Sequence, residues 1–152
     1  MSSPMSSELR DYLESHGFKE VPVDLAPSPG LTVSAYENRE FRIHVVLERG
    51  IERYVQVAPC AKPEQRQFLS GVIAFLTSDD DASRVSGQDA EWLWQYHTEI
   101  AGIFGNGSES IVRRQGLQDW FSAFARREQE RMGQATQRLR VERANRPWWK
   151  LW

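Results

Sequence analysis

Three histidines, one cysteine and a run of three aspartates are the side chains of this 152-residue chain best able to act as base, nucleophile or ligand. His16, His44 and His97 lie far apart, and none combines with Cys, Asp or Glu at zinc-binding spacing. Cys60 could pair with a histidine as a nucleophile, but a lone thiol beside Pro59 reads as a small apolar filler. Glu91 and Glu99 stand two helical turns apart, yet paired carboxylates work in a cleft and nothing predicts one here. Gly102, Gly105 and Gly107 follow an apolar helix rather than a strand, so they read as a helix stop and not as a phosphate loop. Asp79-Asp80-Asp81 lacks the spaced acids, central glycine and distal glutamate of a calcium loop. It remains a candidate contact for a basic partner, beside the plainer readings of a solvated loop or one paired with the protein's own arginines. No catalytic residue, metal or cofactor is called for.

The element that must position the rest is the stretch Phe41–Val57, a β-hairpin written in alternation. Phe41, Ile43, Val45 and Leu47 share one face; Arg42, His44, Val46 and Glu48 share the other. A two-residue Arg49-Gly50 loop mixes the faces across the hairpin. A three-residue loop, Glu48-Arg49-Gly50, sets Leu47 opposite Ile51, Ile43 opposite Val55 and Phe41 opposite Val57, and keeps the apolar face almost continuous, interrupted only by Arg53. That register predicts Arg42, His44, Val46, Glu52, Tyr54 and Gln56 together on the polar face, with His44 and Tyr54 as direct cross-strand neighbours. Arg42, His44, Tyr54 and Gln56 are therefore candidate partner-binding residues, unless the N-terminal helix covers them or they form an ordinary solvated face.

The remaining chain supplies helices. Ser7 reads as the N-cap of a helix carrying Leu9, Tyr12, Leu13 and His16, and Gly17 stops it. Residues 18–30, with Pro22, Pro27 and Pro29, read as an unpaired connector. Leu31–Tyr36 is a first strand before the hairpin. Pro63 opens a helix with the stripe Phe68, Leu69, Val72, Phe75 and Leu76. A third helix from about Gln88 to Phe104 buries Trp92, Leu93, Tyr96, Ile100, Ile103 and Phe104. A fourth is strongest from Leu117, where Trp120, Phe121 and Phe124 are dense; beyond Ala125 arginines replace the stripe. The predicted fold class is α+β: a three-stranded antiparallel meander over about 31–58, packed with an N-terminal helix and three C-terminal helices. One domain spans 1–152, with tails at 1–7 and 147–152 that are flexible or dock; the Trp148-Trp149 tail could fold back over an apolar seam, enter a partner's pocket or sit at a membrane interface.

Such a chain can bury roughly two thirds of its unfolded surface and needs no disulfide to fold. A single cysteine, no leader-like N-terminus and no apolar run of membrane-spanning length place it in the cytoplasm. The net charge of −2 hides a split: residues 1–112 hold 9 Lys/Arg against 17 Asp/Glu, residues 113–152 hold 10 against 4. Arg126, Arg127, Arg131 and Arg138 form a possible basic surface for nucleic-acid phosphates, diluted by Glu128, Glu130 and Glu142.

A short helix ending Leu13-x-x-x-Gly17-Phe18, followed by a strand pair turning at Glu48-Arg49-Gly50, resembles small bacterial immunity proteins of polymorphic-toxin and contact-dependent inhibition systems. The resemblance covers roughly residues 9–76. It implies a protein that neutralises a cognate toxin by binding it, commonly over the toxin's active site, with no catalytic residue to carry over. The acidic 1–112 segment fits a basic target such as a nuclease, because opposite charge speeds association. The alternative is a nucleic-acid-associated or scaffold protein that uses the arginine-rich helix.

Overall fold

A computed structural model of the chain describes residues 5–23 and 29–145. The helices are α1 (Ser7–Ser15), α2 (Leu69–Thr77), α3 (Asp89–Phe104) and α4 (Ser108–Asn145). The strands are β1 (Lys19–Val21), β2 (Leu31–Glu37), β3 (Arg42–Glu48), β4 (Ile51–Ala58) and β5 (Gln67–Phe68), with short 3-10 turns at Pro63–Gln65 and Asp80–Arg84. Residues 1–117 and 118–152 form two compact units. No described helix is long and apolar enough to cross a membrane.

The first unit is α+β, but its antiparallel sheet has five strands in the order β1-β2-β3-β4-β5 rather than the expected three. The two additions are short edge strands in segments where proline argued against regular pairing. Lys19–Val21 fits between Gly17, whose φ is 72°, and Pro22, and pairs with Ala35–Glu37. Pro63 opens only a 3-10 turn; Arg66 is extended, and α2 starts at Leu69. Phe68, expected in the helical stripe, instead lies opposite Gln56 and is 51% exposed.

The central hairpin also turns differently from the sequence reading. Its loop has two residues, Arg49 and Gly50, with φ of 52° and 79°. Positive φ at both positions gives the turn the twist that the flanking strands need. Leu47 then faces Glu52 while Val46 faces Tyr54, which leaves Arg53 as the extra residue of a β-bulge. Beyond the bulge Ile43 meets Val57, Val45 meets Val55 and His44 meets Gln56. The bulge moves the register by two residues from the expected pairing. Side chains alternate with period two, so the apolar face survives the change. Ile51 does not: it lies opposite Glu48 and is 68% exposed.

Phe41, Ile43, Val45, Leu47, Val55 and Val57 are buried together with Leu9, Tyr12 and Leu13 of α1, Leu69, Val72 and Ile73 of α2, and Leu93, Ile100, Ile103 and Phe104 of α3. The N-cap of α1 is Ser6, one residue before the expected Ser7; its Oγ accepts from the Leu9 N–H at 3.3 Å. The Gly102–Gly107 region is a helix stop, as read. Arg114 Nη1 donates to the carbonyls of Ile103 (3.0 Å) and Gly105 (2.8 Å), and Ser110 Oγ donates to that of Gly102 (2.8 Å). These bonds satisfy carbonyls that the end of α3 leaves unpaired.

The second unit is the later part of α4. Trp120 and Phe124 stack at 5.2 Å, Phe121 meets Trp120 edge-on, and the Arg127 guanidinium sits 5.8 Å from both stacked rings. Every residue from 129 to 145 is exposed. The tail containing Trp148, Trp149 and Trp152, residues 1–4 and Pro27 lie outside the described residues.

Candidate functional site

The polar face of the sheet brings together most of the residues expected there. Antiparallel partners point the same way, so Ala35, His44, Gln56 and Phe68 form one row, Val33, Val46 and Tyr54 the next, and Glu37, Arg42 and Ala58 a third. Three expectations need correction. His44 and Tyr54 are not opposite each other, because the bulge sets Tyr54 against Val46. Glu52 has left this face, paired now with Leu47, and its Oε2 accepts from the Ser6 N–H at 3.2 Å. His44 is only 2% exposed and cannot serve as a contact residue.

The reason lies in Arg42. Its Nε donates to His44 Nε2 at 2.7 Å, its Nη1 to Glu37 Oε1 at 2.8 Å and its Nη2 to the Pro22 carbonyl at 3.2 Å. An accepting Nε2 fixes the proton of neutral His44 on Nδ1. That Nδ1 is buried and has no hydrogen-bond partner among the described residues. Burial first, then the charges of Arg42 and Arg66, push the His44 pKa down to about 4 against the opposing pull of Glu37. Arg42 and His44 thus form a structural pair. Tyr54, Gln56 and Phe68 are what this face still offers outward; Tyr54 packs edge-on against Phe68 at 5.1 Å.

The aspartate triplet serves its own turn. Asp79 Oδ1 accepts from the Asp81 N–H at 3.1 Å, the Asp80 carbonyl accepts from Ser83 Oγ, and Asp81 pairs with Arg84 at 2.9 Å. Asp81 stays exposed beside Arg84. No group of three or more metal-ligating side chains that could hold an ion occurs among the described residues. Cys60 is half-buried; burial and Glu37 raise its pKa, opposite to what a nucleophilic thiol requires.

The carboxylates that interact are not Glu91 and Glu99, both exposed, but Asp89 and Glu52. Asp89, in the first turn of α3, is pushed up to about 6 by burial and then by the charge of Glu52. Nothing in the local sequence pairs them, because β4 and α3 meet only through the tertiary fold.

A second histidine arrangement was not legible in the sequence. Tyr12 Oη lies 2.6 Å from His97 Nδ1, and His97 Nε2 lies 3.4 Å from Glu40 Oε1. His16 Nδ1 is 3.0 Å from the Tyr12 carbonyl, and the His16 and His97 rings are 4.1 Å apart. Trp94 packs edge-on against both Tyr12 (5.5 Å) and His16 (5.1 Å) and stays 48% exposed. Local features build this cluster. Asn38 Oδ1 accepts from the N–H groups of Glu40 and Phe41, and its Nδ2 donates to the His16 carbonyl, which ties the β2–β3 turn to the end of α1. The backbone leaves helical geometry at Tyr96 (φ −110°, ψ 17°). That kink leaves Tyr96 half-exposed and seats His97 against α1. Two signals were available: His16 falls on the α1 stripe with Leu9, Tyr12 and Leu13, and His97 adjoins the α3 stripe.

In the second unit Arg126, Arg127, Arg131 and Arg138 are all exposed; Arg127 lies beside aromatic rings and Arg131 lies 3.6 Å from Glu128. A shallow groove of about 470 Å³ beside Arg138 is lined by Gln134, Gln137, Val141 and Glu142. Comparison with family models, with curated proteins and with solved structures finds no match for this chain.

Proposed function

We propose that the protein acts by binding a protein partner, and that the partner is a basic bacterial toxin which it neutralises in the cytoplasm by covering it. The observation that carries this reading is Trp94. Nearly half of its indole is exposed, yet Tyr12 and His16 hold the ring from behind, so it reaches a partner already ordered. Buried, pre-ordered tryptophans are typical anchors of binding energy. Exposed carboxylates stand on the same two helices: Glu8, Asp11 and Glu14 on α1, Glu91 and Glu99 on α3, which has no lysine or arginine. Their charge favours rapid capture of a cationic partner. The immunity-protein resemblance over residues 9–76 points the same way.

The test is co-expression with the product of an adjacent gene that encodes a toxin. Protection and a stable complex are expected. Trp94→Ala should weaken the complex by about tenfold or more, and Glu91→Lys should slow association at low salt. Absence of both complex and protection would end the toxin reading; full affinity in both variants would move the contact away from α1 and α3.

The nucleic-acid alternative draws on one feature of the second unit. At 100° per residue Arg127, Arg131 and Arg138 fall within about 40° of one another on α4. It predicts anisotropy titrations with DNA or RNA whose affinity falls steeply with salt; flat curves at low salt would remove it.

A further inference from the structure

We infer that His16 and His97 form an acid-released latch that holds α1 against α3 while at least one ring is neutral and frees α1 when both carry charge. The proton positions follow from the partners. The Tyr12 carbonyl can only accept, so His16 places a proton on Nδ1 and its remaining basic nitrogen is Nε2. An ionised Glu40 can only accept, so neutral His97 donates from Nε2 and its Nδ1 accepts from the Tyr12 hydroxyl. Protonation of His97 makes Nδ1 a donor. Tyr12 must then turn its hydroxyl away, and that residue is fully buried. The O–H then loses the acceptor that neutral His97 gives it.

Charge on both rings adds direct repulsion at a centroid separation of 4.1 Å. The titratable groups acting on His97 are His16 and Tyr12 from α1 and Glu40 from the β2–β3 turn; Phe41 and Tyr12 supply the surrounding rings. Burial and His16 lower the proton affinity of His97, while Glu40 raises it. With the rings in contact, charge on one opposes charge on the other, so release belongs to the second proton. Asn38, bonded to the His16 carbonyl, links the turn that carries Glu40 to the same event. The inference concerns α1 itself and does not depend on which partner the protein binds.

Amide hydrogen exchange on the full chain tests it, with opening constants corrected for the intrinsic pH dependence of exchange. Between about pH 7.5 and pH 5, where imidazoles gain charge, the amides of Leu9–Leu13 should open about tenfold more often, with no comparable rise in β3 and β4. His16→Gln should abolish the α1-specific rise. Glu40→Gln, a change at a side chain half in solvent, should leave the fold intact and move the release to lower pH. A uniform rise over α1 and the sheet would overturn the latch, as would an undiminished α1-specific rise in His16→Gln.

Discussion

Buried His44 and half-buried Asp89 titrate in the same acidic window with opposite sign, and their cancellation can be tested quantitatively. His44 falls from its ordinary 6.5 to about 4 on folding. Because the folded value is the lower one, the unfolded chain binds more protons between these limits. Stability is therefore lost as pH drops from 6.5 to about 4, by at most about 3 kcal/mol at roughly 1.4 kcal/mol per unit. Asp89 moves the other way, from 3.8 to about 6. Here the folded chain holds the proton more tightly, so a penalty present above pH 6 is relieved as pH falls toward 3.8, again by at most about 3 kcal/mol. The protein should thus show a nearly flat stability profile between pH 6 and 4 from these two groups.

Asp89→Asn should expose the His44 loss. Its unfolding free energy should exceed that of the parent chain at pH 7 by up to about 3 kcal/mol, with the advantage gone near pH 4. Urea unfolding at fixed pH steps, followed by far-UV circular dichroism, gives both curves. If Asp89→Asn is no more stable at pH 7 and runs parallel to the parent throughout, then burial beside Glu52 does not penalise the ionised Asp89 carboxylate, and the reasoning fails.

Other outcomes follow from the hairpin and the core. Arg49 occupies a left-handed conformation at φ 52°, so Arg49→Asn should raise stability by roughly 0.5 kcal/mol, whereas Gly50→Ala at φ 79° should lower it by about 1 kcal/mol. Chemical denaturation measures both, and a stabilised Gly50→Ala would argue against the two-residue turn. Ile100 is fully buried in α3, and Ile100→Ala should lose about 2–5 kcal/mol; a loss under about 1 kcal/mol would mean that the helix does not seal the core as described.

Most of the helical layer was legible because helix signals are local. The Leu9, Tyr12, Leu13 stripe, the stop at Gly17, and the span of α3 all follow from spacing and capping within a few residues. The side of the hairpin that goes inward was legible too, since alternation fixes a face whatever the register. The register itself was not: Arg53 bulges out, and beyond the bulge a slip of two residues keeps the same apolar side chains inward while changing each partner; only Ile51, before the bulge, is lost from that face. The pairing of His44 with Tyr54 fails for that reason, whereas the burial of His44 comes from Arg42 closing over it.

By itself, then, the sequence determined the α+β class, the buried face of the central strands and the absence of a recognisable catalytic or zinc motif, all of which rest on near neighbours along the chain. Only the tertiary structure decided that Arg42 closes over His44, that Asp89 meets Glu52, and that Tyr12, His16, Glu40, Trp94 and His97 share one cluster. These pairings join residues from separate elements, and their chemistry comes from burial and proximity, which no spacing in the chain encodes.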